Sequence, residues 1–168
     1  MKINIRGKLI DLSEPKIMGI LNLTPDSFYD GGKYNEIKTA LNQTEKMISQ
    51  GAFFIDLGAC STRPGAKAIS VDEEKKRLLP VLEKLIREFP ETYFSIDTYR
   101  SSVAAEGLDL GAAMINDISG GQFDSKMMET VGKHSIPYVL MHISGKPENM
   151  QNKPKYKNVV KEVLFYFS

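Results

Sequence analysis

The sequence has one cysteine, almost no net charge and no long hydrophobic run. A single cysteine, Cys60, excludes an internal disulfide and a cysteine zinc cluster, and we expect it to pack rather than to act as a nucleophile. A net charge of +1 gives no reason to expect nucleic acid or an anionic membrane as a partner. No apolar run approaches the roughly 18 residues of a membrane-spanning helix, and the charged N-terminus lacks the apolar core of a signal peptide. A cytoplasmic location is therefore expected.

The length of the chain fits one domain, which we assign to residues 1–168. Apolar periodicity predicts a hairpin over residues 2–12, followed by strands that alternate with helices. The predicted strands cover 16–22, 52–57, 93–96, 112–116 and 136–141. The predicted helices cover 36–50, 70–89, 100–109, 125–132 and 156–167, and Ser70 and Glu73 have capping-box spacing at the start of the second. Such alternation implies right-handed crossovers and a parallel sheet.

Two closures of that sheet are possible, an open doubly wound sheet or a (β/α)8 barrel. Polar residues follow the ends of different strands, which is the barrel habit: Asn22, Asp56, Asp97, Asn116 and His142. A dinucleotide-binding sheet would instead have a Gly-rich turn after its first strand. A barrel has eight strands, so we predict an α/β fold of the (β/α)8 TIM-barrel type that is incomplete here, with strands 1–5 and their helices preceded by an N-terminal β-hairpin.

The first strand ends in a cluster of small polar residues on a loop that contains Pro and Gly. Asn22 is followed by Thr24, Asp26 and Ser27. An amide oxygen and a carboxylate at a strand end suit a magnesium ion bound to a diphosphate. The alternative is that these residues only form turns, but so long a loop favours a functional role.

Two further groups carry chemistry. The loop from Ser61 to Gly65 combines hydroxyls with a guanidinium, which suits an anion, although a solvated loop would read the same. Asp97 and Asn116 place a carboxylate acceptor and an amide at neighbouring strand ends. The simpler interpretations are a helix N-cap for Asp97 and a turn residue for Asn116. His142 could act as an acid–base group.

Four segments of the chain form a joint signature: MGILNLTPDSFYDGG (18–32), LGACSTRPGA (57–66), SIDTYRSSVAAEGLDLGAAMINDISGG (95–121) and YVLMHISGKPENMQ (138–151). Together they resemble the dihydropteroate synthase family of pterin-binding enzymes. The resemblance implies a transferase of folate biosynthesis that joins 7,8-dihydropterin-6-ylmethyl diphosphate to 4-aminobenzoate, releases diphosphate, and uses Mg2+. It also implies inhibition by sulfonamides, which bind where aminobenzoate binds.

By this resemblance the expected site has three parts. Asn22 faces the diphosphate and its magnesium ion. The aminobenzoate and sulfonamide pocket is formed by Phe28, Ser61, Thr62, Arg63 and Pro64. The pterin-binding set is Asp97, Asn116, Asp56, Met141 and Ile118, in which Asp56 supports the floor. Catalysis is expected to depend on Asn22, Arg63, Asp97 and Asn116. For His142 the resemblance implies a supporting role instead of acid–base catalysis.

Two alternative functions would use the same pterin-binding pair, Asp97 and Asn116. One is a pterin-binding methyltransferase, against which TPDSF (24–28) and STRPG (61–65) argue, because these loops suit a diphosphate and an arylamine. The other is a non-catalytic pterin-binding fragment, since later basic residues of the family have no counterpart here. For that reason residues 1–168 alone are expected to be inactive. The resemblance also implies a homodimer for the full-length protein.

Overall fold

The computed structural model of the protein describes residues 1–23, 32–60, 69–145 and 155–168. A hairpin of β1 and β2 comes first and is followed by strands that alternate with helices. The strands are β1 (Lys2–Ile5), β2 (Lys8–Asp11), β3 (Ile17–Asn22), β4 (Ala52–Gly58), β5 (Tyr93–Asp97), β6 (Met114–Asp117) and β7 (Tyr138–Leu140). The helices are α1 (Gly32–Ser49), α2 (Val71–Glu88), α3 (Ser101–Asp109), α4 (Met127–His134) and α5 (Val159–Tyr166). Of the helices in the described ranges, none is both long and apolar enough to cross a bilayer.

Strands β3 to β7 form one parallel sheet in the order of the sequence, β3-β4-β5-β6-β7. A doubly wound sheet needs a point where the strand order reverses, and this sheet has none among its described strands. The sequential order is that of a barrel segment. The hairpin is a separate antiparallel pair, as the sequence predicted.

The register of the sheet places the predicted polar residues in one row. Asn22 is the partner of Gly58, Gly58 of Asp97, and Asp97 of Asn116. Partners in a parallel ladder point to the same face of the sheet, so these side chains share a face. Asp56 was expected at the end of its strand, but β4 continues to Gly58, and Asp56 therefore lies one layer deeper in the same face.

The opposite face of the sheet packs against the helices. Leu21, Leu57, Ile96 and Ile115 are buried there in one apolar cluster with helix residues such as Leu82. A second cluster lies at the amino end of the strands, where Ile5 of the hairpin packs with Phe54, Ala113 and Met114. The hairpin thus covers the end of the sheet opposite to the polar row.

Several element boundaries differ from the predicted ones. Helix α1 begins at Gly32 rather than at residue 36, and β7 is limited to Tyr138–Leu140. Helix α4 begins two residues late because Asp124 first forms a turn, accepting from the Lys126 N–H at 3.0 Å. The predicted cap of α2 is confirmed, since the Ser70 hydroxyl accepts from the Glu73 N–H at 3.1 Å.

Candidate active site

The polar row lies at the carboxyl ends of β3 to β6 and converges over a glycine. A Cβ atom placed on Gly58 would lie 3.3 Å from Asp97 Oδ2 and 3.7 Å from Asn22 Oδ1. The two flanking side chains therefore reach over the position where a larger residue would stand. The absence of a side chain at Gly58 leaves a space at the mouth of the sheet that is bordered by an amide oxygen and a carboxylate oxygen.

Beneath this row, Asp56 holds Asn116. The Asn116 Nδ2 donates to Asp56 Oδ2 at 2.9 Å, and Asp56 is buried. Burial raises the pKa of the Asp56 carboxyl. This hydrogen bond fixes the plane of the Asn116 amide, so that its oxygen and its second N–H are left to bind a partner.

Asp97 titrates near neutral pH. Burial raises the pKa of Asp97 to about 7, and the negative charges of Asp56, Glu74 and Asp117 add to the effect. The alternative that Asp97 caps α3 is wrong, because the N-cap is Arg100 and the Ser101 N–H donates to Asp124 Oδ2 at 2.7 Å. A half-buried carboxyl with a perturbed pKa and no capping function is typical of a binding or catalytic site.

Asp117 organises the turn that follows β6. Its buried carboxylate accepts from the Ser119 N–H and hydroxyl, both at 2.7 Å, from the Gly121 N–H at 3.0 Å and from the Tyr138 hydroxyl at 2.5 Å. Burial, followed by the Asp117 hydrogen bond, raises the pKa of Tyr138. The turn carries Ile118, a predicted site residue. Sequence reasoning missed the role of Asp117, although an Asp with Ser-Gly-Gly starting two residues later is the pattern of an Asx turn.

Met141 and His142 lie beside the same turn. The Met141 N–H donates to the Asp117 carbonyl at 3.2 Å, which places Met141 next to the segment that carries Ile118. The His142 ring packs edge-on against Tyr166 at 4.7 Å between ring centroids, and the Tyr166 hydroxyl donates to the Ser119 carbonyl at 2.6 Å. His142 therefore helps to seat α5 against the turn.

The structure thus brings together one part of the predicted site. Asn22, Asp97, Asn116 and Asp56 share one face, and Ile118 and Met141 lie at the neighbouring turn. The predicted aminobenzoate set lies outside the described residues: Phe28, Ser61, Thr62, Arg63 and Pro64. Burial raises the pKa of the Cys60 thiol at the edge of that set, which disfavours the thiolate that a nucleophile requires.

Comparison with known proteins bears directly on this arrangement. A family model described as pterin binding enzyme matches residues 18–168. The chain belongs to the pterin-binding enzyme family. The match begins at the second residue of β3 and includes every residue of the polar row, so the family model covers the parallel sheet except for Ile17.

Individual relatives agree. The dihydropteroate synthase of Synechocystis sp. is 45% identical over 152 residues, which are 90% of this chain and 52% of that protein. A crystal structure of the Yersinia pestis dihydropteroate synthase with a sulfonamide drug complex superposes with a TM-score of 0.87 at 42% identity, covering 99% of this chain and 60% of that chain. The Xanthomonas albilineans dihydropteroate synthase with 4-aminobenzoic acid gives 0.85 at 35% identity, covering 98% and 57%.

These comparisons confirm the predicted family and the incomplete barrel-type α/β fold. The chain of this pterin-binding family member spans a little over half the length of the relatives it matches.

Proposed function

We propose that the polar row binds the 2-amino-4-oxo edge of a pterin, as part of a dihydropteroate synthase. That edge presents N–H donors and a carbonyl acceptor side by side. An ionised Asp97 accepts from the donors, and the Asn116 amide both donates and accepts. The observation that carries the proposal is the register pairing of Asp97 with Asn116 on one face, with Asp56 fixing the amide from below.

The proposed reaction is a transfer of the pterin methylene from diphosphate to the amine of 4-aminobenzoate. The new C–N bond forms as the C–O bond to diphosphate breaks, and the amine then loses a proton. The described residues supply no covalent step, and their part is to hold and orient the pterin and to keep water from the electron-poor carbon. Known complexes of relatives with 4-aminobenzoic acid and with a sulfonamide support the choice of second substrate.

We also propose that Asn22 contacts a magnesium ion carried by the diphosphate. Within the described ranges, no group of three or more His, Cys, Asp or Glu side chains is arranged to hold a metal ion. Mg2+ commonly uses substrate phosphates and water with only one or two protein oxygens, and the exposed Asn22 amide offers one such oxygen at the mouth. When bound, the ion would offset the charge of the leaving group. The homodimer and the cytoplasmic location stay predictions.

Calorimetric titration of the chain with 6-hydroxymethyl-7,8-dihydropterin tests the proposed floor. The matched control is the analogue with a second oxo group in place of the 2-amino group, which removes a donor and leaves a buried carboxylate without its partner. We expect the control to bind roughly tenfold or more weakly. Equal binding of both compounds, or no binding of either at millimolar concentration, would contradict the proposal.

Replacing Gly58 by alanine should disturb the floor directly. The added methyl group would stand 3.3 Å from Asp97 Oδ2, closer than ordinary contact, so the carboxylate must shift. We expect the affinity for the pterin to fall by about 1 kcal/mol, roughly fivefold, as is usual for a mild overpacking. The measurement is the same titration, paired with urea denaturation.

Gly132→Ala is the control for this substitution. Gly132 lies in helix α4, and a Cβ there would meet nothing within 4 Å. The variant should raise the free energy of unfolding by about 0.5–1 kcal/mol, as helical Gly-to-Ala changes do, and leave pterin affinity unchanged. An unchanged affinity in Gly58→Ala would show that Asp97 does not touch the ligand.

A further inference from the structure

A buried acidic residue lies just beyond the polar row, at the start of helix α2. Glu74 is 1% exposed, and both of its carboxylate oxygens are occupied. Oε1 accepts from the Thr98 hydroxyl at 2.7 Å, and Oε2 pairs with Arg100 Nη1 at 2.6 Å. We call these three residues the Glu74 network.

The Glu74 network joins three segments of the chain. The Thr98 hydroxyl also accepts from the Arg100 N–H at 3.2 Å. The Thr98 N–H donates to the Asn116 carbonyl at 3.0 Å, which ties the end of β5 to the end of β6. Arg100 Nη2 donates to the Ile69 carbonyl at 2.5 Å, which ties both strand ends to the residue before the cap of α2.

Stability alone does not explain why this acid is buried. Removing a charge pair from water costs about as much as the pairing returns, and well-packed apolar residues often serve as well. The neighbouring Glu73 shows the alternative on the same helix turn, since it pairs with Arg77 at 2.7 Å near the surface. The buried arrangement instead fixes orientation, because a planar guanidinium and a carboxylate with two acceptor oxygens hold several hydrogen bonds in one geometry.

We propose that Glu74, Thr98 and Arg100 are positioning residues that hold Asp97 and Asn116 side by side. Asp97 immediately precedes Thr98, and the Thr98–Asn116 backbone bond is the last link between the two strands on this side. If the Thr98 hydroxyl loses its partners, that link loosens and the carboxylate and amide separate. The expected loss of pterin affinity rests on the proposed function, whereas the expected loosening of the two strand ends does not.

The charge of Glu74 also affects the ionisation of Asp97. It contributes to the raised pKa of Asp97, behind burial and Asp56. Removing it through Glu74→Gln should therefore move the Asp97 titration to lower pH. Among the described residues, the other titratable or charged groups at this corner are Asp56, Asp117, Arg100, Cys60 and Tyr99.

Amide hydrogen exchange of the unliganded chain tests the geometric part. The reporter is the Thr98 N–H, and the reference is the Ala113 N–H. The Ala113 N–H donates to the Phe94 carbonyl at 2.7 Å, at the other end of the β5–β6 pair. In Glu74→Gln and Thr98→Val we expect Thr98 exchange to quicken roughly tenfold while Ala113 exchange stays within about twofold. Thr98→Ser keeps the hydroxyl and should match the wild type.

Pterin titration of the same variants tests the functional part. We expect Thr98→Val to bind roughly tenfold more weakly, Thr98→Ser to bind normally, and Glu73→Gln, the surface control, to bind normally. If the wild type binds no pterin but the Thr98 amide responds as described, the proposed function fails and the positioning role stands. Equal acceleration of both amides, or acceleration of neither, would overturn the positioning role even if pterin binds.

Discussion

Asp97→Ala is expected to weaken pterin binding by about 1–3 kcal/mol, the cost of leaving buried polar partners unsatisfied. Asp97 supplies the only ionisable group in the row of Asn22, Gly58, Asp97 and Asn116, so no neighbour in that row replaces its charge. Calorimetry with the dihydropterin measures the loss. Asp109→Ala is the matched control, because Asp109 is an exposed aspartate that pairs with His134 on the outer helices. An unchanged affinity in Asp97→Ala would remove Asp97 from the site.

The same carboxyl should make binding depend on pH. Asp97 has a pKa of about 7 in the folded chain, and the form that accepts from two N–H donors is the ionised one. Its population rises about tenfold between pH 6 and pH 8, and affinity should rise in proportion. Asp97→Asn should remove this dependence, and any change that persists in the variant belongs to the ligand or to another group.

Folding stability should respond in the opposite direction. In the unfolded chain the pKa of Asp97 is near its ordinary value of 3.8, whereas in the folded chain it is raised to about 7. The folded state therefore binds more protons between these values, and its free energy of unfolding should fall as pH rises through this window. Asp97→Asn should flatten that slope in urea denaturation measured from pH 4 to pH 7.

The second large effect concerns association. Strands β3 and β7 are the edges of the parallel sheet, and unpaired edges recruit other chains. The apolar side chains along them are open, with Ile20 at 67% exposure and Val139 at 40%. We expect light scattering to give a mass above the 18.8 kDa of one chain, and we expect no detectable dihydropteroate formation.

Charge at the edges should reverse this association. The double variant Ile20→Lys and Val139→Lys places an ammonium group on each edge, a common defence of natural sheets, and should shift the mass toward one chain. Met128→Lys is the control, since the exposure of Met128 lies between those of Ile20 and Val139 but Met128 belongs to helix α4. A wild-type monomer, or an equal effect of the control, would show that the edges are not responsible.

The sequence was sufficient to predict that the polar residues lie together at one edge of the sheet, but not to predict that Asp56 lies one layer below the others. Asn22, Asp97 and Asn116 each end an apolar run, and the carboxyl ends of parallel strands meet at one edge, so their convergence follows from pattern alone. Asp56 was placed at the same level because nothing in IDLG marks where pairing stops. Its true layer depends on a register set by the neighbouring strand.

Glu74 shows a different limit. It stands beside Asp72 and Glu73 in the first turn of a helix, where acidic residues are favoured by the helix dipole. Its local pattern is therefore the same whether it is solvated or buried. Its partners, Thr98 and Arg100, lie 24 and 26 positions away in the sequence, so the local pattern does not show them.

The sequential strand order has a consequence for how the chain is made. Each strand of the sheet pairs with the one synthesised just before it, so no strand waits for a distant partner to leave the ribosome. Every new strand pairs with the edge that the previous strand exposed, and the helices pack on one face of the sheet. The sheet can therefore grow in the direction of translation, with one edge open at the growing side throughout, and that edge is where a chaperone would be needed.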